Sequence, residues 1–411
     1  MNKNINILDE LAINITDGEH GSVIDDNNGN FYLLSNKNII NGNININNND
    51  RKISEYSFNK IKKRTKLEKN DLVISTVGTI GKLAIIKDNN INYDFQRSVG
   101  IIKCDNEKLK PEYLYYYFSL PYIQKMLINL SKGAVQKCLF ISDLKNLVIE
   151  YPNDIKNQIL ICNILSTLDK KIEINNRINE ELEAMAKTLY DYWFVQFEFP
   201  NEEGKPYKSS GGEMVWNEEL KREIPEGWEV GKLIDIANIT MGQSPNGESY
   251  NENGNGIIFF QGCTDFGIRF PSIRKFTTEP TRFAKSGDIL LSVRAPVGSI
   301  NIANENCCIG RGLASLNSKN NSNAFLFYVL KNLKQIFDRR NSDGTTFGSI
   351  TKDDLFSLKV IIPNKKILKK YSDLIESSFE KQNKISLETQ KLEELRDWLL
   401  PMLMNGQVSV N

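Results

Sequence analysis

Two glycine-containing turns carry residue types suited to holding phosphate: STVGTIGK at 75–82 and SVRAPVGS at 292–299. Small residues let one backbone approach another closely, so that N–H groups meet phosphate oxygens. Ser75, Thr76, Gly78, Thr79 and Lys82 are the candidates in the first turn, Ser292 and Arg294 in the second. A plain β-turn would use the same residues. Arg97 and Arg311 each precede a β-like run. An arginine fork binds guanine or phosphate bidentately, or closes a buried ion pair. Polar loops add Lys132, Gln136 and Lys137 in SKGAVQK, and Thr345 and Thr346 in NSDGTTFGS. The run at 51–69 holds eight Lys/Arg against two Glu, with Lys62, Lys63 and Arg64 at its centre. Such a run attracts a polyanion through counterion release, or forms a solvated face.

Catalytic signatures fail on inspection. GTIGK at 78–82 has two residues between its glycines where a phosphate loop needs four, and Leu83 follows its lysine. DFG at 265–267 has no HRD-type catalytic loop to serve. No G-x-G-x-x-G opens a strand–turn–helix unit, no NPPY- or DPPY-like tetrapeptide is present, and no carboxylate pair with lysine forms a nuclease centre. The single histidine, His20, argues against a histidine metal site or base. The six cysteines form no CxxC pair and read as reduced thiols. A binder rather than an enzyme is expected, with no catalytic residue, no metal and no cofactor.

What positions these residues is an internal repeat. KNDLVISTVGTIGKLAI (69–85) answers SGDILLSVRAPVGSINI (286–302), placing Asp71, Ser75 and Gly81 opposite Asp288, Ser292 and Gly298. FQRSVGII (95–102) answers IGRGLASL (309–316), and GAVQKCLFISDLKNLVIEYP (133–152) answers GTTFGSITKDDLFSLKVIIP (344–363). LAINITDG (11–18) loosely matches IANITMG (236–242). Each half has short β-like runs and one helical stretch, 111–130 or 323–340, and closes on a long helix. Apolar residues step by three and four along 154–193 and along 365–404. Forty residues make a rod of roughly 60 Å, and a rod with one apolar face must pair. The two rods are expected to run antiparallel. Asn175 and Asn176, near mid-rod, either fix the register or face water.

The fold class is therefore α+β: two similar mixed α/β domains joined by two long antiparallel helices, with pseudo-twofold repetition. The boundaries are 1–152 for the first domain, 153–199 for the first long helix, 200–230 for a linker, 231–363 for the second domain, and 364–411 for the second helix and tail. The first domain holds 20 Lys/Arg against 17 Asp/Glu, and the region 231–362 holds 15 against 11. Two mildly basic blocks suit a polyanion. With no signal peptide and no run of 18 apolar residues, a cytoplasmic protein without membrane contact is expected. The helix ends carry more apolar surface than pairing needs, at Trp193, Phe194, Trp398, Leu399 and Leu403, so these residues are expected to dock a partner.

The elements NDLVISTVGTIGK, FQRS and KGAVQKCLFISDLKNLVIEYP resemble the specificity subunit of type I restriction-modification systems. So do the segment FEFPNEEGKPYKSSGGEMVWNEELKREIPEGWEVGKL (197–233) and the tail LEELRDWLLPMLMNGQV (392–408). The resemblance covers nearly the whole chain. It implies two target recognition domains, each reading half of a bipartite site on double-stranded DNA. It also implies a coiled-coil spacer that docks two methyltransferase (modification) subunits, through which restriction (translocase-nuclease) subunits join. Competing readings are a stand-alone bipartite DNA-binding regulator, an enzyme with an unrecognised centre, and a coiled-coil adaptor. A chain that binds its site tightly without partners would favour the first, cofactor binding by the chain alone the second, and salt-insensitive behaviour the third.

Overall fold

The computed structural model describes residues 3–133, 136–334, 337 and 348–408. Five helices matter here: α1 (Glu55–Thr65), α2 (Pro111–Ser119), α3 (Ile155–Tyr190), α4 (Asn323–Asn332) and α5 (Lys365–Met404). The chain divides into two compact units, 1–170 with 392–411, and 171–391.

In the first unit a four-stranded antiparallel sheet runs in the order Ala12–Asp17, Val99–Cys104, Leu72–Ser75, Leu83–Ile85. A smaller sheet sets Phe31–Leu34 antiparallel to Lys52–Ile53 and parallel to Tyr93–Phe95. Lys3–Ile7 pairs with Val148–Pro152. α2 buries Tyr113, Leu114, Tyr117 and Phe118 in one core with Leu72 and Ile74 of the sheet. Ile161, Cys162 and Leu165 of α3 and Leu400, Leu403 and Met404 of α5 complete that core.

The second unit repeats this plan. Its four-stranded sheet runs Ala237–Met241, Leu313–Ser318, Ile289–Ser292, Ile300–Ile302. Ile257–Phe260 lies antiparallel to Phe276–Thr277 and parallel to Cys307–Ile309. Glu229–Lys232 pairs with Lys359–Ile362. The core joins Phe325 and Tyr328 of α4 to Tyr190 at the end of α3, to Trp193 and Phe194 just after it, and to Tyr371 and Phe379 of α5. The repeat extends to single groups at the strand starts. Asp71 Oδ2 accepts the Glu68 N–H at 2.8 Å, and Asp288 Oδ2 accepts the Lys285 N–H at 2.9 Å.

Within each unit the long helices meet with opposite sequence direction. Asn175 Nδ2 donates to Glu388 Oε2 and Asn179 Nδ2 to Ser386 Oγ, both at 2.9 Å. In the other unit Asp169 meets Arg396 at 3.1 Å. Asn175 is only 1% exposed, so of the two mid-rod asparagines it is the one committed to the helix pair.

One expectation is corrected. The stretch 111–130 is two helices, α2 and Pro121–Leu130, because Pro121 cannot supply the N–H that a continuous helix needs. The segment 200–230, expected as a linker, carries structure of its own. Met214–Asn217 and Arg222–Pro225 form a hairpin, and Phe199 stacks between Tyr207 and Trp228 at 4.5 and 4.8 Å.

Candidate nucleic-acid interface

In the first unit, five separated segments converge on one rim. Thr76 N donates to Ser98 O at 2.9 Å and Leu139 N to Thr76 O at 2.8 Å. Gly78 N donates to Lys137 O at 2.9 Å, which joins the 75–82 turn to the polar loop. Glu19 N reaches Phe95 O at 2.7 Å and Arg97 N reaches Glu19 O at 3.0 Å. Asn36, which sequence reasoning missed, is a staple. Its Nδ2 donates to Val77 O at 2.6 Å and its N–H to Ser98 Oγ at 3.3 Å. Gly78, Thr79, Arg97, Gln136 and Lys137 are exposed on this rim.

The second unit repeats the central bonds of this frame. Val293 N donates to Gly312 O at 2.9 Å, Ile350 N to Val293 O at 2.9 Å, and Gln243 N to Ile309 O at 3.0 Å. Gly18 and Gly242 occupy matching places, with N–H bonds to Val99 O and Leu313 O at 3.0 and 2.9 Å. A Cβ there would stand 2.1 Å from Phe95 O in one unit and 2.2 Å from Gly310 O in the other, so only glycine fits. Arg294 and Arg311 are exposed, and Arg294 bridges to Ser349. Thr345 and Thr346 lie outside the described residues.

Several expected contact residues are corrected. Ser75 and Ser292 are fully buried. Their hydroxyls close their own turns, accepting from Lys82 N at 2.8 Å and from Ser299 N at 2.9 Å. Thr76, 2% exposed, bonds Arg97 O at 3.4 Å. These side chains shape the turn and cannot reach a ligand, and Lys82 is only partly exposed. Lys132 turns to Asp143 at 3.7 Å and lies over the Phe140 ring. Neither Arg97 nor Arg311 closes a buried ion pair among the described residues.

Lys62, Lys63 and Arg64 form the exposed last turn of α1. Arg64 is held by Asp17 at 3.5 Å and by Gly18 O, so the basic helix touches the rim through its own arginine. Asp94 secures the helix from beneath. It accepts the Thr65 hydroxyl at 2.6 Å and the Phe95 N–H at 2.8 Å. Burial pushes its carboxyl up to about 6 against those two bonds. Burial likewise raises Asp71, although the Glu68 N–H and Lys103 oppose it.

The partner-docking residues divide. Trp193 and Phe194 are 5% exposed and Leu403 is 2% exposed, since each is consumed by its own unit's core. Leu399 is partly buried. Trp398 is 57% exposed on α5, beside Leu395 at 42%. In the second unit an apolar cleft of about 580 Å³ is lined by Leu182, Met185, Leu189, Tyr192 and Leu374, among others. Among the described residues, no group of His, Cys, Asp or Glu is placed to hold a metal ion. No helix of the described residues is long and apolar enough to cross a membrane.

One domain plan present twice, each copy with a loop rim on the same hydrogen-bond frame, defines a duplicated recognition protein. The model of the type I restriction modification DNA specificity domain matches residues 20–184 and again 225–396, and the chain belongs to that family. The type I restriction enzyme MjaIX specificity subunit of Methanocaldococcus jannaschii is 30% identical over 383 residues, covering 89% of this chain and 83% of that one. The provisionally named MjaX specificity subunit of the same organism is 32% identical over 351 residues, covering 83% and 79%. The crystal structure of a type I restriction-modification S subunit from M. genitalium superposes with a TM-score of 0.63 at 21% identity, covering 98% of this chain and 96% of that chain. That likeness shows the shared fold.

Proposed function

We propose that this chain is the non-catalytic, DNA-reading subunit of a type I restriction-modification complex. Residues 1–152 and 231–363 are its two target recognition domains, each reading one half of a bipartite site on double-stranded DNA. The paired helices are the spacer between the half-sites, and their exposed apolar surfaces dock two methyltransferase subunits. Restriction subunits join through these. The observation that carries the reading is the duplicated frame with unlike side chains: Arg97, Gln136 and Lys137 on one rim, Arg294 and Arg311 on the other. Equal scaffolds with different polar tips suit two different half-site sequences.

The test is co-expression of the chain with its methyltransferase subunit, followed by methylome sequencing. A bipartite methylated motif is expected. Exchanging 1–152 for the same block of a relative is expected to change one half of that motif. Changes in both halves, or none, would contradict one domain per half-site.

A further inference from the structure

The second rim holds a three-residue cluster that sequence reasoning did not isolate. Arg311 sits between Gly310 and Gly312 on a loop pressed against Gln261. Gly310 N donates to Phe260 O at 2.8 Å and Gly312 N to Gln261 O at 3.1 Å. A Cβ on Gly310 would stand 2.9 Å from Gln261 Cα, and one on Gly312 would stand 2.7 Å from Gln261 O. The backbones of Gln261 and Arg311 are therefore locked together. Ser244 then ties their side chains. Its Oγ lies 3.3 Å from Arg311 Nε, 3.3 Å from the Arg311 N–H and 2.9 Å from Gln261 Nε2.

The bond from Arg311 uses the part of its side chain that base reading can spare. Arg311 gives up Nε–H and keeps both terminal nitrogens, which have no hydrogen bond or ion pair among the described residues. Both ends of the Gln261 amide lie on the Ser244 hydroxyl, Nε2 at 2.9 Å and Oε1, which accepts from it, at 3.2 Å, so Gln261 holds Ser244 in place. A guanidinium fork matches O6 and N7 of guanine. Both side chains are exposed.

We propose that Arg311 reads a guanine in the half-site of the second unit, and that Ser244, itself held by Gln261, is the positioning residue that aims it. This rests on the DNA-reading function proposed above. In the first unit His20 stands where Ser244 stands, since Glu19 N and Gln243 N make matching bonds just before them. His20 turns instead to Asp17 at 2.7 Å. Arg97 therefore lacks this hydroxyl, and the cluster belongs to one half-site only.

The experiment is competition binding by the full chain assembled with its methyltransferase subunit. The duplexes carry every single base-pair change in the motif found for the wild type. Arg311→Ala is expected to lose roughly 10- to 100-fold discrimination at one G·C pair. Ser244→Ala is expected to relax that position in part, and Ser244→Thr, which keeps the hydroxyl, to restore it. The other half-site should keep its preference throughout. Uniform weakening on all sequences with a flatter salt slope would make Arg311 a phosphate contact and overturn the inference. A bipartite preference that survives both alanine substitutions overturns it alone. A wild-type complex with no base preference overturns the parent reading and this inference with it.

Discussion

Asp94 has no solvent exposure, and its carboxyl titrates near 6 because burial disfavours the charge. The folded chain therefore holds this proton more tightly than the unfolded chain, whose value is near 3.8. Stability from this group is complete below about 4 and declines as pH rises through about 6. Asp94→Asn should flatten that decline, a change on the order of 3 kcal/mol, readable as urea midpoints between pH 4 and 7. A second residue-level prediction concerns Lys62 and Lys63, which are exposed while Arg64 is held by Asp17 and Gly18. Replacing both lysines with alanine should weaken DNA binding equally on all sequences and lower the salt slope by up to about 2. An unchanged slope would remove α1 from the interface. The charge of these residues was legible in the sequence, and the fate of the serines was not. A serine after a buried strand can point out to a ligand or bend back to its own turn, and Ser75 and Ser292 do the latter through contacts at Lys82 and Ser299. Gln261 and Ser244 escaped notice for the opposite reason: they are far apart in sequence, and the parallel pairing of Ile257–Phe260 with Cys307–Ile309 brings Gln261 to Arg311 while the Gln243 N–H bond to Ile309 O brings Ser244.

At the level of elements, periodicity revealed most. Steps of three and four located α3 and α5 because a long helix with one buried face leaves that signature over many turns. The same argument ran 111–130 together, since the apolar pattern crosses Pro121 unbroken while the backbone does not. The link between α3 and its unit depends on Glu183. It pairs with Arg269 at 3.4 Å and with Lys331, and accepts the Tyr328 hydroxyl at 3.2 Å. Arg269 is buried, stacked 4.4 Å from Phe379 and 5.2 Å from Phe327, and desolvation lowers its affinity for its proton. Truncating one partner leaves the other charge buried and unpaired. Glu183→Ala should destabilise the second unit by about 3 kcal/mol, near the low end for such pairs because Glu183 keeps 26% of its surface. Chemical denaturation of the full chain measures this. A loss under about 1 kcal/mol would mean that water or Asn383, bonded to Arg269 Nε at 2.6 Å, replaces the carboxylate.

At the scale of the whole molecule, duplication bears on the proposed stoichiometry. A chain that presents two equivalent surfaces recruits two copies of whatever fits one of them. Met185, Tyr192 and Leu374 leave an apolar cleft open in the second unit, and Leu395 and Trp398 leave apolar surface open in the first. Trp193, Phe194 and Leu403 cannot serve, because the cores of their own units have absorbed them. The docking prediction therefore narrows to the residues still exposed. Large aromatic anchors often carry about 2 kcal/mol or more of association energy. Trp398→Ala should weaken one of the two methyltransferase contacts and Met185→Asp the other, each by tenfold or more. Native mass spectrometry of the chain mixed with its methyltransferase subunit should show two methyltransferases per chain for wild type. Each single variant should shift the population towards one, and the double variant should leave the chain unbound. Circular dichroism of the variants should match wild type, since neither side chain belongs to a core. An assembly that stops at one methyltransferase, or that ignores both substitutions, would place the docking surface elsewhere and leave the long helices as spacers alone.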